Sequence, residues 1–231
     1  MKLSIIIPTF NEERTVRRLI ERILAVPFPV PYELVVVDDH SADRTFAIER
    51  ELRGVLGGMR MALLRNRTNK GKGACIRQGL KHATGELVIV QDSDLEYDPG
   101  EIPKLLEPAL RGQAQVVFGS RFRSRRWPDG MALPNLVANR LLTWLANALY
   151  GVRLTDVMTC YKMVSRELLT RLKIRANRFE FECEITAKIA KAGVPILEVP
   201  ISYRGRTAKE GKKIRAKDFF ITSWTLLRYR C

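Results

Sequence analysis

Five short apolar runs recur through the first half of the chain: Leu3-Ser4-Ile5-Ile6-Ile7, Leu34-Val35-Val36-Val37, Met61-Ala62-Leu63-Leu64, Leu87-Val88-Ile89-Val90 and Val116-Val117-Phe118. Runs that are apolar on consecutive residues, not alternate ones, suit strands covered on both faces, as in a parallel sheet. Stretches with helical periodicity separate them. Val16, Leu19, Ile20, Ile23 and Leu24 fall on one helical face, with arginines and glutamates opposite. Ser41 is placed to cap the next helix, over Arg44 to Leu52. This alternation predicts an α/β fold with a mostly parallel central sheet, flanking helices and right-handed crossovers. After residue 120 the pattern loosens. An arginine-rich loop, Arg121 to Arg126, leads to helices over Pro134–Tyr150, Ser165–Leu172 and Phe181–Ala192. A strand over Ile196–Tyr203 and an amphipathic segment over Ile214–Tyr229 follow. No repeat, low-complexity tract or linker interrupts residues 1–231, which are read as a single domain.

Open α/β sheets bind ligands just beyond the carboxyl ends of their strands. Polar clusters stand at three such ends: Thr9, Asn11 and Glu12 after the first run, Asp38-Asp39 after the second, Asp92-Ser93-Asp94 after the fourth. Asp92 and Asp94 flank one small residue, and Glu96 adds a third carboxylate within reach. Hard oxygen ligands of this kind select Mg²⁺ or Mn²⁺. A cation held there can neutralise the charge that builds on a departing diphosphate. Carboxylates at a strand end also suit a ribose or base contact, with Ser41 or Asp43 left to cap the helix that follows. Asn69-Lys70-Gly71-Lys72-Gly73 lacks the spacing of a phosphate-binding P-loop. Its glycines suit either close approach of another backbone or a simple turn.

Composition removes several classes. The four cysteines, Cys75, Cys160, Cys183 and Cys231, have no C-x-x-C spacing and are read as reduced thiols of a cytoplasmic protein. With only His40 and His82 present, a histidine-built metal site is not expected. The first apolar run is too short for a signal peptide, and the stretch near Leu141 to Val152 is shorter than the roughly 20 residues a membrane span requires. The formal net charge of +15 suits nucleic acid, an anionic membrane surface or a phosphate-rich substrate. A nucleic-acid-binding module would leave the acidic strand ends unexplained, so no nucleic-acid partner is expected.

In order, Ile7-Pro8-Thr9-Phe10-Asn11-Glu12, Val37-Asp38-Asp39-x-Ser41-x-Asp43-x-Thr45, Asn69-Lys70-Gly71-x-Gly73, Asp92-Ser93-Asp94 and Gly119-Ser120-Arg121 resemble the motifs of the family 2 glycosyltransferases. Thr155-Asp156-x-x-Thr159-Cys160-Tyr161-Lys162 and Phe179-Glu180-Phe181-x-x-Glu184 extend the likeness toward the dolichyl-phosphate mannosyltransferase and polyprenyl-phosphate glycosyltransferase branch. The resemblance implies a GT-A nucleotide-diphospho-sugar fold, an inverting reaction and a divalent metal. It implies a nucleotide-sugar-binding half over residues 1–120 and an acceptor-side half over 121–231. Pro8, Thr9, Glu12, Asp39, Lys72 and Asp92 would bind the nucleotide sugar. Asp92, Asp94 and Glu96 would surround Mg²⁺ or Mn²⁺, although Glu96 stands where this branch often carries Gln. Arg121, with Asp94, would serve the chemistry, and Arg121, Arg204 and Arg206 would bind phosphate and acceptor. The donor implied is GDP-mannose, with a UDP-sugar such as UDP-glucose second.

The arginine clusters bear on the acceptor. A lipid monophosphate is already an anion near neutral pH and attacks without a general base, but it needs cations to offset its repulsion from the donor. A soluble saccharide would instead need a base, such as Asp156 or Glu180. Phe219, Phe220, Ile221, Trp224, Leu227 and Tyr229 alternate with Arg215, Lys217, Arg228 and Arg230 near the end of the sequence. That composition suits either a helix lying on an anionic membrane or one packed on the sheet. The helix from Leu136 to Tyr150 is the other candidate for lipid contact, and the protein is expected to be peripheral at the inner face of a membrane.

Overall fold

The computed structural model describes residues 1–58, 60–206 and 216–230. Its strands are β1 (Leu3–Thr9), β2 (Tyr32–Asp38), β3 (Met61–Arg65), β4 (Leu87–Val90), β5 (Val116–Ser120), β6 (Lys162–Ser165) and β7 (Leu197–Pro200). The helices are α1 (Val16–Leu24), α2 (Thr45–Leu56), α3 (Lys72–His82), α4 (Ile102–Leu110), α5 (Arg121–Ser124), α6 (Leu133–Tyr150), α7 (Arg166–Leu172), α8 (Phe181–Lys191) and α9 (Ala216–Arg228). The strands form one sheet in the order β3-β2-β1-β4-β6-β5-β7, parallel except for β6.

The apolar runs lie where their composition puts them. Ile5, Ile6, Ile7, Val35, Val36 and Val37 are fully buried, and so are Val16, Leu19, Ile20 and Ile23 of α1. Each such side chain contributes about 1.5–3 kcal/mol on leaving water. β1 continues past its apolar run through Pro8 to Thr9. Proline is tolerated there because β4 pairs only with Leu3–Ile6. The missing N–H falls beyond the end of β4, on the side where the Pro8 carbonyl accepts the Ser93 hydroxyl at 3.2 Å.

Two local expectations are corrected. Ser41 does not cap α2, which begins at Thr45. Its amide is spent on the Asp38 carboxylate at 3.2 Å and its hydroxyl accepts from the Asn11 amide at 3.0 Å. Asp43 does the capping work, taking the Thr45 amide at 3.0 Å and the Thr45 hydroxyl at 2.5 Å. The arginine-rich stretch is not all loop, since residues 121–124 form α5, with Arg121 and Phe122 buried.

The unexpected element is β6, inserted antiparallel between β4 and β5. It pairs through Leu87↔Ser165 and Val88↔Val164 on one side and Val116↔Val164, Val117↔Met163 and Phe118↔Lys162 on the other. β7 is shorter than the strand expected over 196–203. Beyond it the chain leaves the sheet, and the Arg204 amide bonds the Glu96 carbonyl at 2.9 Å. Helices α6, α7 and α8 fall close to their predicted bounds. α9 falls within the amphipathic segment, whose Ile214 and Arg215 lie outside the described residues.

Candidate functional site

The carboxyl ends of β1, β2 and β4 open onto one cavity of about 850 Å³, closed on the far side by α6, α8 and α9. Three of the non-glycine residues with left-handed backbone stand just past these ends: Asn11 (φ 52°), His40 (φ 64°) and Leu95 (φ 62°). Such conformations cost on the order of 1–2 kcal/mol each and persist where the surroundings over-determine them. Here they turn the chain sharply at the rim of the cavity.

Pro8, Thr9, Glu12, Asp39, Lys72, Asp92, Asp94, Glu96, Arg121 and Arg206 all line this cavity, so most of the predicted site residues converge. Arg204 does not. It lies in a second cavity of about 650 Å³ with Arg14, Arg18 and Arg22, behind the Asp94-Leu95 turn. Lys209, Lys212 and Lys213, which follow Arg206 in the sequence, lie outside the described residues.

Asp39 holds the glycine-rich loop. Its carboxylate accepts the Lys70 amide at 2.9 Å, the Gly71 amide at 2.7 Å and the Asn66 side-chain amide at 2.7 Å. The glycines answer to the chain itself, since a Cβ on Gly71 would stand 2.5 Å from the Asn177 carbonyl and one on Gly73 2.5 Å from that of Ala176. Asp38 is turned away from the cavity onto Ser41 and the Arg65 guanidinium, the latter at 3.1 Å.

The loop delivers Lys72 to Asp92, with the ammonium 2.8 Å from one carboxylate oxygen and 3.1 Å from Glu182 on α8. Burial alone would push the Lys72 ammonium down, but the charges of Asp92 and Glu182 beside it hold it well above the usual lysine range. A second lysine, Lys162 at the start of β6, is buried and reaches the other Glu182 oxygen at 2.7 Å. Glu182, Lys162 and Cys160 were not among the sequence candidates, because nothing in their spacing places them under Asp92.

The Asp94 carboxyl is pushed up to about 7 by burial first, then by the charges of Asp92 and Glu96. Its own oxygen accepts the Glu96 amide at 3.0 Å. Glu96 turns elsewhere, accepting the Tyr203 hydroxyl at 2.8 Å and the Arg206 amide at 2.6 Å. The three carboxylates expected around a metal therefore do not close on one point. Among the described residues no set of three His, Cys, Asp or Glu side chains does. Asp92 and Asp94 still fit a divalent cation: both line the cavity with hard oxygens, and Asp94 is crowded by the charges of Asp92 and Glu96.

Arg121 lines the cavity, but its charge is matched. Asp156 takes its Nε hydrogen at 2.7 Å, its Nη2 hydrogen at 2.8 Å and its amide at 3.0 Å. The guanidinium carbon lies 5.1 Å from the ring centre of Tyr203 and 5.9 Å from that of Tyr97, within cation–π range. Its Nη1 takes part in none of these bonds. Arg206 spans the cleft, donating to the Asp94 carbonyl at 2.6 Å and pairing with Glu12 at 2.9 Å. The opposite end of the cavity is more apolar, with Met131, Pro134, Ala138 and Leu142 beside Phe219 and Phe220, and Asn135, Asn139, Asp218 and Thr222 set among them.

A mostly parallel sheet with acidic strand ends around one cavity is the architecture of the GT-A glycosyltransferases. Glucosyl-3-phosphoglycerate synthase from Mycobacterium tuberculosis, solved with Mn²⁺, UDP-glucose and phosphoglyceric acid, superposes with a TM-score of 0.72 at 25% identity, covering 99% of this chain and 79% of that one. The chain belongs to glycosyl transferase family 2, whose description matches residues 4–172. It is 30% identical over 225 residues to the dolichol-phosphate mannosyltransferase of Pyrococcus furiosus, covering 95% of this chain and 61% of that protein. To the dodecaprenyl-phosphate galacturonate synthase of Rhizobium johnstonii it is 30% identical over 187 residues, 78% of this chain and 53% of that protein. The chain thus spans little more than half the length of these relatives.

Proposed function

We propose that the chain transfers a hexose, with inversion, from a nucleoside-diphosphate sugar to a polyprenyl phosphate at a membrane surface. One observation carries this reading: a single cavity joins a carboxylate-and-lysine end, at Asp39, Asp92, Asp94 and Lys72, to an apolar end, at Met131, Ala138, Leu142 and Phe219. The polar end suits a sugar diphosphate. The apolar end suits the first isoprene units of a lipid.

In this reading Pro8, Thr9, Glu12 and Asp39 bind the nucleotide, and Lys72 and Arg206 meet its phosphates. Asp92 and Asp94 hold Mg²⁺ or Mn²⁺, which supplies charge neutralisation on the donor's diphosphate. Arg121, fixed by Asp156, directs its Nη1 toward the acceptor phosphate. An acceptor phosphate oxygen attacks the anomeric carbon, the bond from that carbon to the diphosphate breaks, and the nucleoside diphosphate leaves. No proton need be removed from a phosphate dianion. The two candidate bases for a hydroxyl acceptor are poorly placed, which supports this choice: both Asp156 oxygens serve Arg121, and Glu180, whose Oε1 accepts the Asn177 amide at 2.9 Å, is not among the residues lining the cavity. The likeness to the Pyrococcus furiosus dolichol-phosphate mannosyltransferase supports mannose as the donated sugar, with GDP-mannose as the donor of this reading.

A second reading has its own support. The solved neighbour described with UDP-glucose and phosphoglyceric acid takes a soluble acid bearing a phosphate. That acceptor shares the anionic oxygen but would leave the apolar end of the cavity unused. Offering the protein GDP-mannose or UDP-glucose with Mn²⁺ or Mg²⁺, and either a prenyl phosphate or 3-phosphoglycerate, separates the two by product mass. Product on the prenyl phosphate, abolished by chelator and in Asp94→Asn, is the expected result. Product on phosphoglycerate alone overturns it.

A further inference from the structure

The chain has three tryptophans, and all of them are exposed: Trp127 at 53%, Trp144 at 67% and Trp224 at 65%. They belong to one surface. On α6 the outward positions are Leu133, Val137, Leu141 and Trp144, spaced as a single helical stripe, and Arg140 is the only charged residue of that helix. On α9 the outward positions are Phe220, Ile221, Trp224 and Leu227, a second stripe. The helices pack together, tied by the Tyr150 hydroxyl donating to the Leu226 carbonyl at 2.6 Å. The Trp127 loop is held against α6, where Arg140 donates to the Arg126 carbonyl at 3.4 Å.

Large exposed apolar side chains are normal singly and informative in a continuous patch. Three features say what covers this one. Apart from the buried, Asp156-paired Arg121, residues 121–153 and 218–230 hold seven arginines against two aspartates, Asp129 and Asp218, with no lysine or glutamate, so the surround complements an anionic partner. Tryptophan is the side chain that favours the boundary between lipid and water. Phe220 and Pro134 are both exposed and both line the cavity, so the patch runs straight into its apolar mouth. Among the described residues no helix is long and apolar enough to cross a membrane, so these helices would lie along a bilayer and not through it.

We propose that α6, α9 and the Trp127 loop form a docking face for an anionic lipid bilayer, so that a membrane-embedded acceptor reaches the cavity sideways past Phe220. The proposal deepens the lipid-acceptor reading above by naming the surface that serves it.

Because every tryptophan lies on this face, intrinsic fluorescence reports on it alone. Purified protein is mixed with vesicles of phosphatidylcholine, with or without phosphatidylglycerol, and assayed for emission maximum, acrylamide quenching and flotation. Phosphatidylglycerol vesicles should blue-shift the emission, shield it from quencher and float the protein, with salt weakening all three. Trp144→Ser combined with Trp224→Ser should keep the native circular dichroism and lower partitioning by roughly tenfold or more. That variant should keep its turnover with a short, water-soluble prenyl phosphate and lose it with a long-chain acceptor in vesicles. Tryptophans that stay open to quencher with both vesicle types overturn the proposal. So does a lipid-independent dimer that the same substitutions dissociate, since the patch would then be an interface between copies. Vesicle binding without transfer to any prenyl phosphate would sink the functional reading and leave the docking face standing.

Discussion

The Arg206 guanidinium and the Glu12 carboxylate, 194 residues apart in sequence, meet at 2.9 Å with little of either side chain exposed. Both line the main cavity and the one behind it, so their ion pair forms part of the wall between the two. Arg206→Ala should destabilise the fold by about 1.5–3 kcal/mol, because it removes a charged hydrogen-bond partner from a largely buried carboxylate. If Arg206 also meets the donor's phosphates, the same variant weakens nucleotide-sugar affinity roughly tenfold or more. Urea denaturation reads the first effect and calorimetric titration of the donor the second.

Arg121 and Asp156 are each buried and satisfy one another twice over. Removing either alone, as Arg121→Met or Asp156→Leu, should cost about 3–5 kcal/mol. The double variant should recover much of that loss, since no unmatched charge remains. It should recover none of the transfer activity. Equal recovery of stability and turnover would show that Arg121 serves the fold alone.

Glu49 on α2 is fully buried, and neither of its carboxylate oxygens has a hydrogen-bond partner among the described residues. Burial, then the charges of Asp38 and Asp43, push its carboxyl up to about 8 from 4.5. A raised acid holds its proton longer in the folded state than in the unfolded one. Stability therefore falls as pH climbs from about 4.5 to about 8, by on the order of 5 kcal/mol in all, and the penalty is absent below that window. Glu49→Met should flatten this slope, gaining stability at pH 9 and little at pH 4. Chemical denaturation across that range checks it.

Gly73 lies against the Ala176 carbonyl, with 2.5 Å left for a Cβ. Gly73→Ala should cost about 1–3 kcal/mol from overpacking. Because α3 carries Lys72, the shift also disturbs its 2.8 Å contact with Asp92 and lowers donor affinity. Thermal melts and donor titration together separate this from a simple loss of fold.

The sheet was largely legible because strands buried on both faces leave an unbroken apolar signature. The acidic strand ends were legible for the same reason, as polar residues abruptly ending such runs. What escaped is whatever depends on distant pairing. β6 is four residues long and opens with Lys162, whose buried charge is matched by Glu182, 20 residues on. Arg121 read as a free cation because its partner Asp156 is 35 residues away. Arg204 and Arg206 read as one cluster, yet the strap they belong to passes over the Asp94-Leu95 turn so that both line the cavity behind it and only Arg206 reaches the main one. Glu96 read as a ligand because spacing cannot reveal Tyr203 waiting for it.

β6 has a mechanical consequence. β1 and β2 are laced together over seven residue pairs, whereas β4 and β6 share two. Every hydrogen-bonded link between the parallel block on one side and β5 with β7 on the other passes through that four-residue splice. Under load, the sheet would part first at the splice, which stands between the strand ends leading to Asp39 and Asp92 and the β5 end leading to Arg121, all of which line the cleft. A small shear there would widen or narrow the cleft without unzipping the strands on either side.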